Sequence, residues 1–238
     1  MRTMRVIFNE ELKQVADDLD RMAQEVRTAI LGAGKALLES DVEAAQSVID
    51  GDLEIDALET SVINQCVQLL AKQSPVATDL RVVVSTLRLA STFERMGDLA
   101  RHVAEIARRT YPESALTPET REVFSQMQAF LDETTKKLIT ALDSRDEKLA
   151  EQLIIDDDKL DDLHHEVFDI VNGENWTGNT QQTIDVVLLG RFYERFGDHA
   201  VSVARRLVYI VSGFDPSKAP KTKADSSAND PYLAAPEN

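Results

Sequence analysis

The sequence predicts an all-α protein built as two tandem antiparallel three-helix bundles, six long helices in all, with a disordered C-terminal tail. Three observations carry this prediction. The 238 residues contain only 9 Gly, 7 Pro and 5% aromatics beside 29% charged residues, a composition of long helices rather than of sandwiches or barrels. Apolar residues recur at three- and four-residue steps over stretches of about thirty positions. The pattern of the first half then returns in the second, which marks duplicated structural units.

The elements follow in order. Leu12, Val15, Leu19, Met22, Val26, Ile30, Ala33 and Leu37 line one face of a first helix over residues 8–39. Ser40-Asp41 is a turn and N-cap, with acids in the first turn beyond it. Val48, Ile55, Leu58, Val62, Cys66 and Leu69 line a second helix ending near Lys72, where Gln73-Ser74-Pro75 breaks it. A third helix runs from Val76 to Arg109, and Pro112 and Pro118 bracket a loop. The fourth and fifth helices cover 118–143 and 146–172, and the Gly-rich segment GENWTGNT is a loop. A sixth helix covers 180–212, with Gly213 as its C-cap. The tail from Asp215 is poor in apolar residues and reads as disordered. The divisions are therefore 1–112, 113–213 and 214–238.

Within the repeat, two carboxylates recur four residues apart. The frame E-R-x-G-D-x-A occurs at 94–100 and again one hundred positions later at 194–200. An offset of 105 relates the second helix to the fifth. Four pairs result: Asp52 and Asp56, Glu94 and Asp98, Asp157 and Asp161, Glu194 and Asp198. Each pair occupies one helix face and repels itself by a few tenths of a kcal/mol on an isolated helix. The pairs also lie at the edge of core-facing stripes, where a bare charge is expensive and needs a partner. Three partners are consistent with the residues. Arg95, Arg195, Arg101 or Arg81 would make a salt-bridge network, a hard cation would make an oxygen-rich site, and water would leave plain solvated acids. Gly97 and Gly197 would leave room beside the carboxylates or let helices approach.

Other chemistry is thin. A net charge of −16 argues against nucleic acid, which demands a basic footprint. The single cysteine, Cys66, falls in an apolar pattern and reads as a core residue. His164 and His165 have no counterpart in the first half and read as edge residues, and Trp176 reads as a packing anchor or partner contact. No P-loop, G-x-G-x-x-G, nucleophile elbow or Cys-x-x-Cys occurs. No signal peptide or spanning segment is evident, so the expected location is cytoplasmic.

The segments VIDGDLEIDALE (48–59), LLAKQSPVATDLR (69–81), FERMGDLA (93–100), YERFGDHA (193–200) and VYIVSG (208–213) together resemble the PhoU family of bacterial phosphate-signalling regulators. The resemblance covers residues 1–213 and implies two three-helix bundles and a non-enzymatic function. It implies negative regulation of the phosphate-starvation response and of phosphate uptake. The chain would act as an adaptor between the phosphate ABC transporter ATPase and a two-component sensor histidine kinase, meeting the membrane only through those partners, with a homodimer as the expected assembly. It further implies metal ions (Fe, Mn, Mg or Zn) at the eight carboxylates named above. The alternative is a metal-binding helical protein that stores or uses divalent cations at the acidic pairs. In one departure from the family, the second repeat has GENWTGNTQQTIDVV where the first has the Q-x-P-V-A-x-D-L-R stretch, so the two bundles should differ.

Overall fold

The computed structural model describes residues 2–213, with side chains from residue 6 onward; the predicted tail lies outside the described residues. The chain folds as α1 (Arg2–Glu39), α2 (Val42–Gln73), α3 (Ala77–Thr110), α4 (Pro118–Ser144), α5 (Glu147–Ile155), α6 (Asp158–Asn172) and α7 (Thr180–Ser212). Helices α1 to α3 pack on one another, and so do α4 to α7. Six helical rods result, because α5 and α6 are the two segments of the predicted fifth helix. Its interruption falls in the run Asp156-Asp157-Asp158. There the ladder shortens to three-residue bonds, with Leu160 N donating to Asp157 O at 2.8 Å. Three adjacent carboxylates compete with the backbone and repel one another, and both effects weaken a helix.

Local chemistry explains the helix ends. Asp41 accepts a hydrogen bond from Ala44 N at 2.9 Å, and Asp146, its repeat equivalent, accepts one from Leu149 N at 3.1 Å. Each satisfies an otherwise orphan N–H of a first turn. The residues before them, Ser40 and Arg145, are left-handed at φ 56° and 52°, which ends α1 and α4 alike. Thr117 and Asn179 close capping boxes at the starts of α4 and α7. Gly213 caps α7 in the left-handed conformation.

One continuous core runs through both bundles, from Val15, Met22 and Ile30 on α1 to Tyr193, Phe196 and Leu207 on α7. Cys66 lies inside it, fully buried, and burial pushes its thiol up to about 11. Gln128 on α4 ties the halves together, donating to Ile30 O on α1 at 3.3 Å and accepting from the Tyr193 hydroxyl at 2.9 Å.

The bundles also meet along α3 and α7, which run antiparallel. Arg109 pairs with Asp185 at 2.5 Å, and seven residues back along α3, His102 stacks on Phe192 at 5.2 Å. At the far end Arg81 donates to Ile210 O at 3.1 Å and crowds Gly213. Every seventh residue of α3 from 81 to 109 is Arg, Arg, Arg, His and Arg, and this basic stripe runs along the seam. No helix among the described residues is long and apolar enough to cross a membrane.

Candidate functional site

The first two acidic pairs meet where α2 crosses α3. A Cβ placed on Gly97 would lie 2.9 Å from Ile55 Cδ1 and 3.4 Å from Asp52 Oδ1, so the glycine is what lets α2 come this close. That brings Asp52 and Asp56 within electrostatic reach of Glu94 and Asp98. Burial, then Asp98 and Glu59, push Glu94 up to about 7. Glu59 is a fifth carboxylate of the cluster and accepts from the Ser91 hydroxyl at 2.8 Å.

Arg101 stands in the middle of this cluster. Its Nε lies 2.6 Å from Asp52 Oδ2, its Nη2 donates to Asp98 Oδ1 at 2.6 Å, and its Nη1 donates to Glu105 Oε1 at 2.8 Å. Of the four arginines weighed as partners, Arg101 therefore does most, by crossing from α3 to α2. Arg95 only draws Glu94 down by its charge, and Arg81 is occupied at the end of α7. Even so, burial outweighs Arg101 at Asp52, whose carboxyl is held above its ordinary value.

The second cluster repeats the first in outline. A Cβ on Gly197 would run into Leu160 Cδ2 and lie 3.4 Å from Asp157 Oδ1, so α6 approaches α7 through the same device. Asp157, Asp161, Glu194 and Asp198 again sense one another. Burial, then Asp161 and Asp198, push Asp157 up to about 6. Burial and Asp198 push Glu194 up to about 7. Burial and Asp198 likewise raise Asp161, and His165 opposes them.

The cations differ. Val201, buried, stands where Arg101 stands in the first bundle. Among the described residues, no ion pair reaches Asp157, Asp161 or Asp198. Positive charge comes instead from the flanks. Arg191 donates to both oxygens of Glu194 at 2.8 Å from the exposed side, and Arg205 draws Asp157 down. The bundles are thus unequal, as the departure in the second repeat led one to expect, but the inequality that matters at the site is Arg101 against Val201.

As tests of fit for a cation, the two clusters diverge. In the first, a guanidinium already neutralises the carboxylates that a metal would use. The second offers hard oxygen donors and no internal cation, which suits a hard metal ion. Among the described residues, no three carboxylate, imidazole or thiolate groups converge on one point as a closed ligand set. The histidines stay outside: His165 is exposed and bonds Asp161 O at 2.8 Å, and His164 tilts against Phe168 at 5.0 Å. Trp176 is a packing anchor, its Nε1 donating to the Thr183 hydroxyl at 2.9 Å.

Sequence reasoning missed Asp185. It lies in the apolar run TIDVV yet is 1% exposed, held by Arg109 and by Gln181 at 3.0 Å. The signal available was the seven-residue spacing of Arg81, Arg88, Arg95, His102 and Arg109, unusual in so acidic a chain.

Comparison with known proteins gives a consistent result. The PhoU domain matches residues 19–107 and again 124–207, one copy per bundle. A Mycobacterium tuberculosis protein named phosphate-specific transport system accessory protein PhoU homolog 2 is 38% identical over 213 residues, covering 90% of this chain and 100% of that one. A Synechocystis PhoU homolog of the same description is 30% identical over 88% of this chain and 93% of its own. The crystal structure of PhoU from Pseudomonas aeruginosa superposes with a TM-score of 0.79 at 26% identity, covering 87% of this chain and 100% of that chain.

Proposed function

The chain belongs to the PhoU family, and from that premise we propose that it is a regulatory accessory protein of phosphate transport. In this reading it represses the phosphate-starvation response when phosphate is ample and restrains uptake. It does so as a non-enzymatic adaptor between the phosphate ABC transporter ATPase and a sensor histidine kinase. The observation that carries the reading is the family match over both bundles, together with relatives of nearly the same length named as accessory proteins of phosphate-specific transport. An adaptor works by helix-face recognition, which requires no catalytic residues. The exposed Val76, Leu80 and Val84, spaced four apart at the start of α3, are the kind of surface such recognition uses. The test is a deletion strain carrying a reporter for phosphate-starvation genes. Derepression at high phosphate, reversed by the intact chain, is expected; unchanged reporter output sinks the proposal.

A second reading, metal binding, is favoured by the second cluster alone. Asp157, Asp161, Glu194 and Asp198 would hold the ion, which would neutralise carboxylates that burial and mutual repulsion leave unsettled. Elemental analysis of protein purified without chelators or metal-affinity resin tests it. Metal at or near one equivalent per chain supports it, and metal-free protein whose melting point ignores added Mn, Fe, Mg or Zn rejects it.

A further inference from the structure

The α3–α7 seam keeps a seven-residue step on both helices. Arg109 pairs with Asp185, and one step on, His102 stacks on Phe192. The next step brings Arg95 of α3 to His199 of α7. The electrostatics agree: burial, then Arg195 and Arg95, hold the His199 ring below its ordinary value against the pull of Asp198. Two further steps along α3 reach Arg88 and Arg81. The α7 positions that continue the step beyond Phe192 are His199, Arg206 and Gly213, so Asp185 is the seam's one acid at these positions.

Arg88, Arg95 and Arg195 are exposed, and among the described residues none of the three makes an ion pair. The acids beside them in sequence belong to the two clusters: Glu94 lies among Asp98, Glu59 and Asp56, and both oxygens of Glu194 accept from Arg191. A chain of net charge −16 thus carries a line of positive charge on this seam. Apolar surface accompanies it. Val84 and Leu80, one and two turns before Arg88, are 39% and 40% exposed. Beside Arg88 a pocket of ≈ 370 Å³ opens between the helices, with Leu87, Leu89, Thr92 and Ser202 in its walls. The Thr92 and Ser202 hydroxyls donate to their own helix carbonyls, Arg88 O at 2.8 Å and Asp198 O at 3.0 Å. The pocket therefore suits an aliphatic side chain.

The spacing selects the partner. Arg88 and Arg95 are about 10 Å apart along the helix axis, farther than one small anion spans. Two helices laid side by side bring positions seven apart into register, so acids at a seven-residue repeat would meet both arginines. A bilayer fits less well. The line is one helix wide, and an anionic membrane would face the acidic surface around it as well.

We propose that the α3–α7 seam docks an acidic amphipathic helix of a partner protein, its carboxylates on Arg88, Arg95 and Arg195 and an aliphatic side chain in the pocket beside Arg88. The role of this surface in the cell rests on the adaptor reading above, its chemistry on the seam alone. The test is fluorescence anisotropy of the full chain with a labelled helical peptide of three heptads, each carrying Glu on the flanks of a Leu. Saturable binding tighter than about 100 μM is expected, weakened about 10-fold by raising the salt to about 0.5 M. Arg88→Glu and Arg95→Glu should each weaken it about 10-fold or more. Arg108→Glu, at the other end of α3, should leave it unchanged, and the same peptide with Lys for Glu should not bind. Circular dichroism verifies folding, and two separate exposed arginines keep the test available if one variant fails to fold. No saturable binding up to about 1 mM, equal binding of the Lys peptide, or binding that neither variant weakens overturns the proposal. So does an inert peptide beside binding to phosphatidylglycerol vesicles, or beside self-association in sedimentation velocity, that Arg88→Glu removes; these assign the seam to a membrane or to a second copy. A failed titration beside an intact reporter response removes the surface and leaves the regulatory reading standing.

Discussion

Arg101 holds Asp52 across the α2–α3 contact at 2.6 Å, while Asp157, the equivalent residue of the second bundle, has no ion-pair partner among the described residues. The same substitution should therefore act differently at the two sites. Asp157→Asn removes a carboxylate pushed up to about 6 by burial and by Asp161 and Asp198. It should raise the melting temperature of metal-free protein by about 2–4 °C, the equivalent of ~1 kcal/mol in a chain of this size. Asp52→Asn takes a partner from Arg101 and should bring no gain or a loss. Thermal unfolding of the two variants side by side in EDTA decides; equal gains would mean that Arg101 does not distinguish the clusters.

Exchanging the cations should exchange the behaviour. Arg101→Met leaves Asp52, Asp98 and Glu105 without their shared guanidinium. It should cost about 2–3 kcal/mol, somewhat under the loss for a fully buried pair because these groups are partly solvated. Val201→Arg should supply the missing guanidinium to the second cluster. In the metal-binding reading, a melting-point rise on adding Mn should appear in the wild type, grow in Arg101→Met and vanish in Val201→Arg. A response indifferent to both substitutions would place any bound ion elsewhere.

Glu94 and Glu194 give the fold a pH dependence whose sign is fixed. Both are raised from 4.5 to about 7, chiefly by burial. Between those values the native chain keeps protons that the unfolded chain has released. Their contribution to stability is therefore present at low pH and lost as the pH rises through about 7. Wild type should lose more melting temperature than Glu194→Gln between about pH 5 and about pH 8. Parallel curves for the two proteins would show that Glu194 ionises normally.

Asp185 is almost wholly buried, and among the described residues only Arg109 brings it a positive charge by direct pairing. Arg109→Ala leaves that carboxylate stranded and should destabilise by about 3 kcal/mol. The double variant Arg109→Met, Asp185→Leu should recover most of the loss, since an apolar pair removes the stranded charge. Denaturant unfolding of the single and double variants measures the coupling, and strictly additive losses would show that the two residues act independently.

How much of this the sequence could show depended on distance along the chain. Asp41 and Gly213 were legible as caps because a cap is a local bond between neighbours in sequence. The four acidic pairs were legible because i, i+4 spacing places both members on one face. That Arg101, rather than Arg95, neutralises the first cluster depends on how far a side chain reaches onto another helix. The α3–α7 register joins helices that are not consecutive, so the pairing of Arg109 with Asp185 had no local signature. The break at Asp156–Asp158 had a visible cause, three adjacent acids, but the first repeat, with Gly51 and Asp52 in an unbroken helix, argued against it.

Gly97 sets the distance between the helices of the first cluster, and its replacement weighs two opposed effects. Alanine gains about 1 kcal/mol of helix propensity over glycine. Its Cβ, however, would stand 2.9 Å from Ile55 Cδ1 and 3.3 Å from Ile55 Cγ2, inside a packed core. Overpacking of that kind costs about 1–3 kcal/mol, so Gly97→Ala should be neutral to destabilising. Shortening Ile55 to valine removes Cδ1, the nearer of the two clashing atoms. The double variant Gly97→Ala, Ile55→Val should therefore be more stable than the sum of the single effects, by an interaction term of about 1 kcal/mol. The acidic cluster provides a second readout. If α2 is displaced, Asp52 moves off Arg101, and the pH dependence of the Gly97→Ala variant should steepen along with its loss of stability. Loss of stability with an unchanged pH profile would mean that the helices keep their spacing and that only Ile55 moves.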